Sequence, residues 1–141
     1  MKIAIGSDHR GFKHKSFIIQ KIASISWTDI GCFSSERCDY PVSAKLVINS
    51  VLKKETELGI LLCGSGIGMS IVANRFAGIY AGLCWSTSVA KVAKQDDNIN
   101  ILVLPSDFVS PDDSIEIINT WLNTQFKGGH YQIRLDMIDQ K

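Results

Sequence analysis

Residues 59–68 read Gly-Ile-Leu-Leu-Cys-Gly-Ser-Gly-Ile-Gly, a short branched apolar run that ends in a cysteine and passes at once into alternating glycines. Few folds accept such a segment. An apolar run without polar alternation suits a strand covered on both faces, as in a parallel sheet flanked by helices. Gly64, Gly66 and Gly68 then allow a sharp turn that keeps its N–H groups open to a ligand, and a following helix adds its positive end there. Cys63 stands at the carboxyl end of this strand, where a thiol can be partly ionised and an oxyanion beside it held. Read without chemistry, the same residues are a buried structural cysteine and a tight turn.

The rest of the chain supplies partners for that strand. Strand-like runs recur at residues 2–6, 58–63, 79–84 and 101–104, with a weaker one at 27–31. Helical spacing fills the gaps. Phe12, Ile19, Ile22 and Ala23 share one face, and so do Ala44, Val47, Ile48 and Val51, in a segment that Pro41 can open at its first turn. Ser110 caps a further helix, with Pro111 at its first position and Ile115, Ile118 and Leu122 along it. The alternation predicts an α/β fold with a mostly parallel sheet, helices on both faces and ligands at the carboxyl ends of the strands. The loops after Gly6, Cys63 and Cys84 are expected to converge there. A last helical pattern carries Tyr131, Leu135 and Ile138 on one face, to dock on this sheet or on another subunit.

At 141 residues and 45% hydrophobic, residues 1–141 suit one domain with a substantial core. A net charge of +1 with no basic run offers no footprint for nucleic acid or an acidic membrane. No apolar stretch is long enough to span a bilayer, and the chain opens on a strand pattern, so a cytoplasmic protein is expected. The four cysteines lack paired spacing and the three histidines are scattered, which predicts reduced thiols and no metal site. Cys32, Cys38 and Cys84 are expected to fill core.

The first strand ends in Gly6-Ser7-Asp8-His9-Arg10-Gly11, which brings an acid, an imidazole and a guanidinium to the ligand edge. Such crowding suits acid–base work, with Asp8 orienting the histidine or accepting a hydroxyl hydrogen bond; Asp8 could equally cap a helix. The glycine loop lacks the acidic residue of a dinucleotide fingerprint and the Gly-Lys-Ser/Thr ending of a nucleotide-hydrolase loop. What remains for it is an anion or enolate held by backbone N–H groups, with Ser65 adding a hydroxyl.

Four motifs together, Gly6-Ser7-Asp8-His9, Ser35-Glu36-Arg37-Cys38-Asp39-Tyr40-Pro41, Cys63-Gly64-Ser65-Gly66-Ile67-Gly68 and Ala73-Asn74-Arg75-Phe76-Ala77-Gly78, resemble ribose-5-phosphate isomerase type B. That family also includes the subunits of galactose-6-phosphate isomerase, and the match runs nearly end to end. The resemblance implies a Rossmann-like α/β/α sandwich on a five-stranded parallel sheet. It implies a homodimer or dimer of dimers whose active sites combine two subunits, and a reaction without metal or cofactor. The implied reaction, a step of the pentose phosphate pathway, interconverts ribose 5-phosphate and ribulose 5-phosphate through a cis-enediolate. By the same resemblance Cys63 is the thiolate base, and Ser65 with the amides of Gly64, Gly66, Ile67 and Gly68 holds the enediolate oxygens. Asp8 meets the sugar hydroxyls, His9 lies near the phosphate, Tyr40 and Asn98 line the pocket, and Arg134 binds the phosphate.

The chain departs from the family pattern in the ring-opening and phosphate-binding parts, while the proton-transfer part centred on Cys63 is intact. Asp96 stands where the family has the histidine assigned to ring opening, Ser106-Asp107 where an arginine is usual, and Gly129-His130 where Gly-Arg is usual. An uncompensated Asp107 would repel a phosphate dianion, so charge from Arg10, His9 or His130 is expected in its place. The alternatives are another substrate, galactose 6-phosphate or allose 6-phosphate, or a non-catalytic sugar-phosphate binding protein.

Overall fold

The computed structural model describes residues 1–140. Strands β1 (Lys2–Ser7), β2 (Ser26–Asp29), β3 (Leu58–Cys63), β4 (Ala81–Leu83) and β5 (Ile101–Pro105) form one sheet in the order β2-β1-β3-β5-β4, every neighbouring pair parallel. The unbroken apolar runs sit where they must: Ile60, Leu61 and Leu62 of β3 and Ile101 to Leu104 of β5 are wholly buried at the centre. The shorter β2 and β4 take the edges.

Six helices alternate with the strands: α1 (Phe12–Lys21), α2 (Tyr40–Leu52), α3 (Ile67–Ala73), α4 (Thr87–Asp97), α5 (Pro111–Leu122) and α6 (His130–Asp139). One face of the sheet packs on Ile18 and Ile22 from α1 and its end, Ala90 of α4, and Ile117, Ile118 and Trp121 of α5. The other packs on Ala44, Val47, Ile48 and Val51 of α2 and Met69 and Ala73 of α3. Helix α2 lies unusually close to the sheet, because a Cβ on Gly59 would fall 2.7 Å from a Val47 methyl and one on Gly6 would fall 2.8 Å from another. The predicted Ser110 cap is formed, its Oγ accepting the Asp113 N–H at 3.1 Å, with Pro111 in the first turn.

Three expectations need correction. The loop after Cys84 does not join those after β1 and β3, because β5 lies between β3 and β4. The loop after β5 takes that place: the Ser106 N–H donates to Cys63 O at 2.9 Å and the Asp107 N–H to Gly64 O at 3.0 Å. Ala23 is exposed beyond the end of α1, and the buried stripe of that helix is His14, Lys15 and Ile18 instead. Of the predicted face Ile22 is buried and Ile19 packs against the same core, but two of the three buried helix residues are polar, so apolar periodicity misses part of the buried stripe. On α6 only Leu135 of the predicted apolar face is buried; Ile138 is exposed, as are Ile133 and Met137 beside it.

Candidate active site

Cys63 closes β3 at the carboxyl edge of the sheet and is 4% exposed. The chain then turns through Gly66, whose φ of +74° and whose missing Cβ, 2.4 Å from a Leu83 methyl, admit no other residue without strain. The turn aims the Gly66 N–H at the Cys63 sulfur, 3.2 Å away. Burial pushes the thiol above its ordinary value, the N–H groups of Met69, Gly66 and Ser65 pull it down, and the nearby charge of Asp8 adds to the rise. In the isolated chain burial wins, so the expected partial ionisation is outweighed. Ser65 is half-buried, its Oγ accepting the Ile67 N–H at 3.2 Å.

The loop after β1 lies against this turn. The Asp8 N–H donates to Leu62 O at 3.1 Å, and Asp8 Oδ1 accepts the N–H groups of Arg10 and Gly11 at 2.9 and 3.0 Å. Asp8 therefore does cap the local turn with one oxygen, while the carboxylate stays buried beside Cys63. The Cys38 N–H donates to His9 Nδ1 at 3.2 Å. The Cys38 carbonyl oxygen lies 3.3 Å from the same nitrogen, so the Cys38 backbone holds the ring through Nδ1 in either tautomer and leaves Nε2 for a ligand. The Tyr40 ring lies over Gly68, within 2.8 Å of where a Cβ would stand, so tyrosine and glycine require each other. Arg10 lies in the same way against Gly64 and forms an ion pair with Asp107. The carboxylate that would repel a phosphate is thus matched by the guanidinium of Arg10, one of the three residues expected to supply charge there.

Asp8, His9, Tyr40, Cys63, Gly64, Ser65, Gly66, Ile67 and Gly68 are accordingly brought together. Asp96, Asn98, His130 and Arg134 are not. Helix α4 runs back along the sheet, and its end is tied to the amino edge, where the Asn100 carbonyl accepts the Gly59 N–H at 3.0 Å. Gly59 and Cys63 are four residues apart on β3, so the two groups are separated by at least ~13 Å of strand. Asn98 holds a left-handed turn (φ +45°) that ends α4, and its side chain accepts from Lys94 Nζ at 2.8 Å. Asp96 pairs with Lys127 Nζ at 3.0 Å, and the Lys127 N–H donates to Gln95 O at 2.9 Å, fastening the start of α6 to the end of α4. His130 stacks on Tyr131 with ring centres 4.2 Å apart, and Lys127 and Arg134 approach the Tyr131 ring to 5.0 and 5.4 Å. This second cluster is a cationic and aromatic patch with Asp96 at its edge. Lys127, in no recognised motif, is the residue of this patch that sequence reasoning missed.

The described residues hold no grouping of histidines, cysteines and carboxylates suited to a metal ion, and no helix is long and apolar enough to cross a membrane.

Comparison with known proteins gives a consistent result. Residues 3–138 match the family model described as Ribose/Galactose Isomerase. The chain is 40% identical to the ribose-5-phosphate isomerase B of Escherichia coli over 139 residues, 97% of this chain and 93% of that protein. A ribose 5-phosphate isomerase of Thermotoga maritima superposes with a TM-score of 0.96 at 44% identity, over 98% of this chain and 97% of that one. A ribose-5-phosphate isomerase B of Mycoplasma genitalium, solved with bound ribulose-5-phosphate, superposes with a TM-score of 0.92 at 38% identity, over 98% of this chain and 93% of that one.

Proposed function

The chain belongs to the ribose/galactose isomerase family, and from that membership we propose that it interconverts ribose 5-phosphate and ribulose 5-phosphate. The observation that carries this reading is the Cys63 sulfur, set beside backbone N–H groups of a glycine turn and next to Asp8 and His9. With the sugar ring open, the Cys63 thiolate takes the proton from C2, the electron pair becomes the C1–C2 double bond and the carbonyl pair moves onto O1, giving an enediolate. The O2 hydroxyl proton passes to O1, the thiol returns its proton to C1 as C2 becomes the carbonyl, and no electrons leave the substrate. The developing negative charge falls on oxygens that the Gly64–Gly68 amides and the Ser65 hydroxyl can reach, the type of stabilisation that costs no reorganisation during the reaction. Asp8 keeps Oδ2 for a sugar hydroxyl, since its Oδ1 is taken by the loop. His9, held at Nδ1 by the Cys38 backbone, keeps Nε2 for the phosphate end.

The separation of Asp96, His130 and Arg134 from Cys63 supports a shared site, in which a second copy of the chain brings its α4–α6 corner to this carboxyl edge. The exposed Ile133, Met137 and Ile138 of α6 supply apolar surface for such an association. In that arrangement Arg134 and His130 meet the phosphate and Asp96, held by Lys127, takes the ring-opening role. A carboxylate can act as the base for ring opening but is a poor acid at neutral pH. The substrates are metabolites of the cell interior, so we assign the protein to the cytoplasm.

The test is conversion of ribose 5-phosphate by purified protein beside Cys63→Ala, with allose 6-phosphate and galactose 6-phosphate as competing substrates. Turnover of ribose 5-phosphate that disappears in the variant supports the proposal. A clear preference for a hexose phosphate moves the substrate assignment, and binding without turnover of any of the three overturns the isomerase reading.

A further inference from the structure

Lys15 is wholly buried, and none of the roles above uses it. An ammonium has three N–H donors, and each is matched: to Asp29 Oδ1 at 2.5 Å, to Cys32 O at 2.7 Å and to Gly31 O at 3.2 Å. The Phe33 ring lies 4.9 Å from the same nitrogen. Burying an ammonium is costly, and well-packed apolar replacements of buried ion pairs are often neutral or stabilising, so filling space does not account for a lysine here. What the ammonium does, and an apolar chain could not, is draw two consecutive carbonyls to one point.

Those carbonyls belong to a dipeptide joined to the end of β1. The Ser7 N–H donates to Gly31 O at 3.3 Å and the Cys32 N–H to Ser7 O at 3.4 Å. Gly31 meets this demand with a φ of +49°. From this root the chain runs through residues 33–39 to Cys38, whose N–H holds His9 Nδ1, and to Tyr40, whose ring covers Gly68.

We propose that Lys15 is a positioning residue of the active site: its ammonium fixes the root of the 31–39 loop and so sets the orientation of the His9 ring and the seat of Tyr40. The kinetic consequence rests on the isomerase reading, whereas the effect on His9 does not.

The experiment uses 15N-labelled protein, with the His9 ring signals identified by their absence in His9→Gln. In the wild type the His9 ring gives one sharp set of signals, its orientation fixed by the Cys38 backbone at Nδ1. In Lys15→Met these signals shift and broaden as the ring loses its fixed orientation, and kcat for ribose 5-phosphate falls about 10- to 100-fold, the size reached when a distant substitution misplaces a reacting group. The far-ultraviolet circular dichroism and the His14 signals stay in place. Should Lys15→Met not fold, Asp29→Asn decides, since the Asp29 side chain is 38% exposed and keeps an acceptor; the same shift of the His9 signals is expected there, to a smaller extent. Unchanged His9 signals in the variant that folds overturn the proposal. A wild type without isomerase activity defeats the functional reading but leaves the His9 signals able to decide on Lys15.

Discussion

Nδ1 of His9 lies 3.2 Å from the backbone nitrogen of Cys38 and 3.3 Å from its carbonyl oxygen, a grip between residues 29 positions apart that fixes the ring. The imidazole is thus set by backbone, with no carboxylate partner. Replacing the Cys38 side chain should leave the contact intact. Cys38→Ser is expected to retain kcat/KM within about threefold, because backbone hydrogen bonds survive side-chain change, and steady-state kinetics on ribose 5-phosphate will measure it. A loss of 100-fold or more would assign the sulfur itself a role.

Removing the base has a larger consequence. Cys63→Ala should lower isomerisation by about 10²–10⁴-fold, the usual contribution of a positioned general base, with sugar-phosphate binding largely retained. Solvent deuterium incorporation at the sugar carbon reads the proton transfer directly. Incorporation at the wild-type rate in the variant would remove Cys63 from the reaction.

Because burial raises the Cys63 thiol, the thiolate fraction should still be growing at alkaline pH. The kcat/KM profile is expected to climb on that side and to continue past about pH 8.5, the ordinary thiol value. A plateau already reached near neutrality would mean that assembly or substrate lowers the thiol more than burial raises it.

A shared site makes a complementation experiment decisive. Cys63→Ala and a double variant His130→Ala/Arg134→Ala should each be inactive as purified. After joint unfolding and refolding in equal amounts, half of the dimers are mixed, and each mixed dimer carries one intact site. About a quarter of wild-type activity should therefore return. No recovery from well-folded mixed dimers would place both groups of residues in the same chain's site.

His14 provides a stability prediction. Its Nε2–H donates to Ser114 Oγ at 2.5 Å while the Ser114 hydroxyl donates to Ser110 O at 3.1 Å, and burial lowers the imidazole pKa below its ordinary value. Below about pH 6.5 the unfolded chain binds a proton that the folded chain resists, so this contribution is complete above that pH and is lost as pH falls through the folded value. Urea midpoints should be lower at pH 5.5 than at pH 7.5, and His14→Gln should reduce the difference.

Gly66 is the most constrained position of the turn. Gly66→Ala should cost about 2–5 kcal/mol, from a left-handed penalty of ~1–2 kcal/mol and an overpacking penalty of ~1–3 kcal/mol against Leu83. Equilibrium denaturation measures the loss, and a change under 1 kcal/mol would show that the turn relaxes.

The parts of this fold that announce themselves in the sequence are those governed by neighbours along the chain. The buried runs of β3 and β5, the apolar stripe of α2 and the Ser110 cap all follow from local spacing. Strand order does not, and for that reason the loop carrying Asp107, and not the one after Cys84, meets Gly64. The buried stripe of α1 was hidden because His14 and Lys15 find their partners 100 and 14 residues away. The glycine turn and Asp8 were legible as a ligand edge. Burial outweighing the turn's dipoles at Cys63 was not, since it depends on everything packed around the sulfur.

That burial also governs how the protein will answer thiol reagents. Cys32, Cys63 and Cys84 are buried, whereas Cys38 is partly open to solvent. A bulky alkylating agent will therefore mark Cys38 first, on the loop that grips His9, and leave Cys63 untouched. Inactivation by such a reagent would report a disturbed grip on the imidazole, and only mapping of the modified peptide could connect it to the chemistry at Cys63.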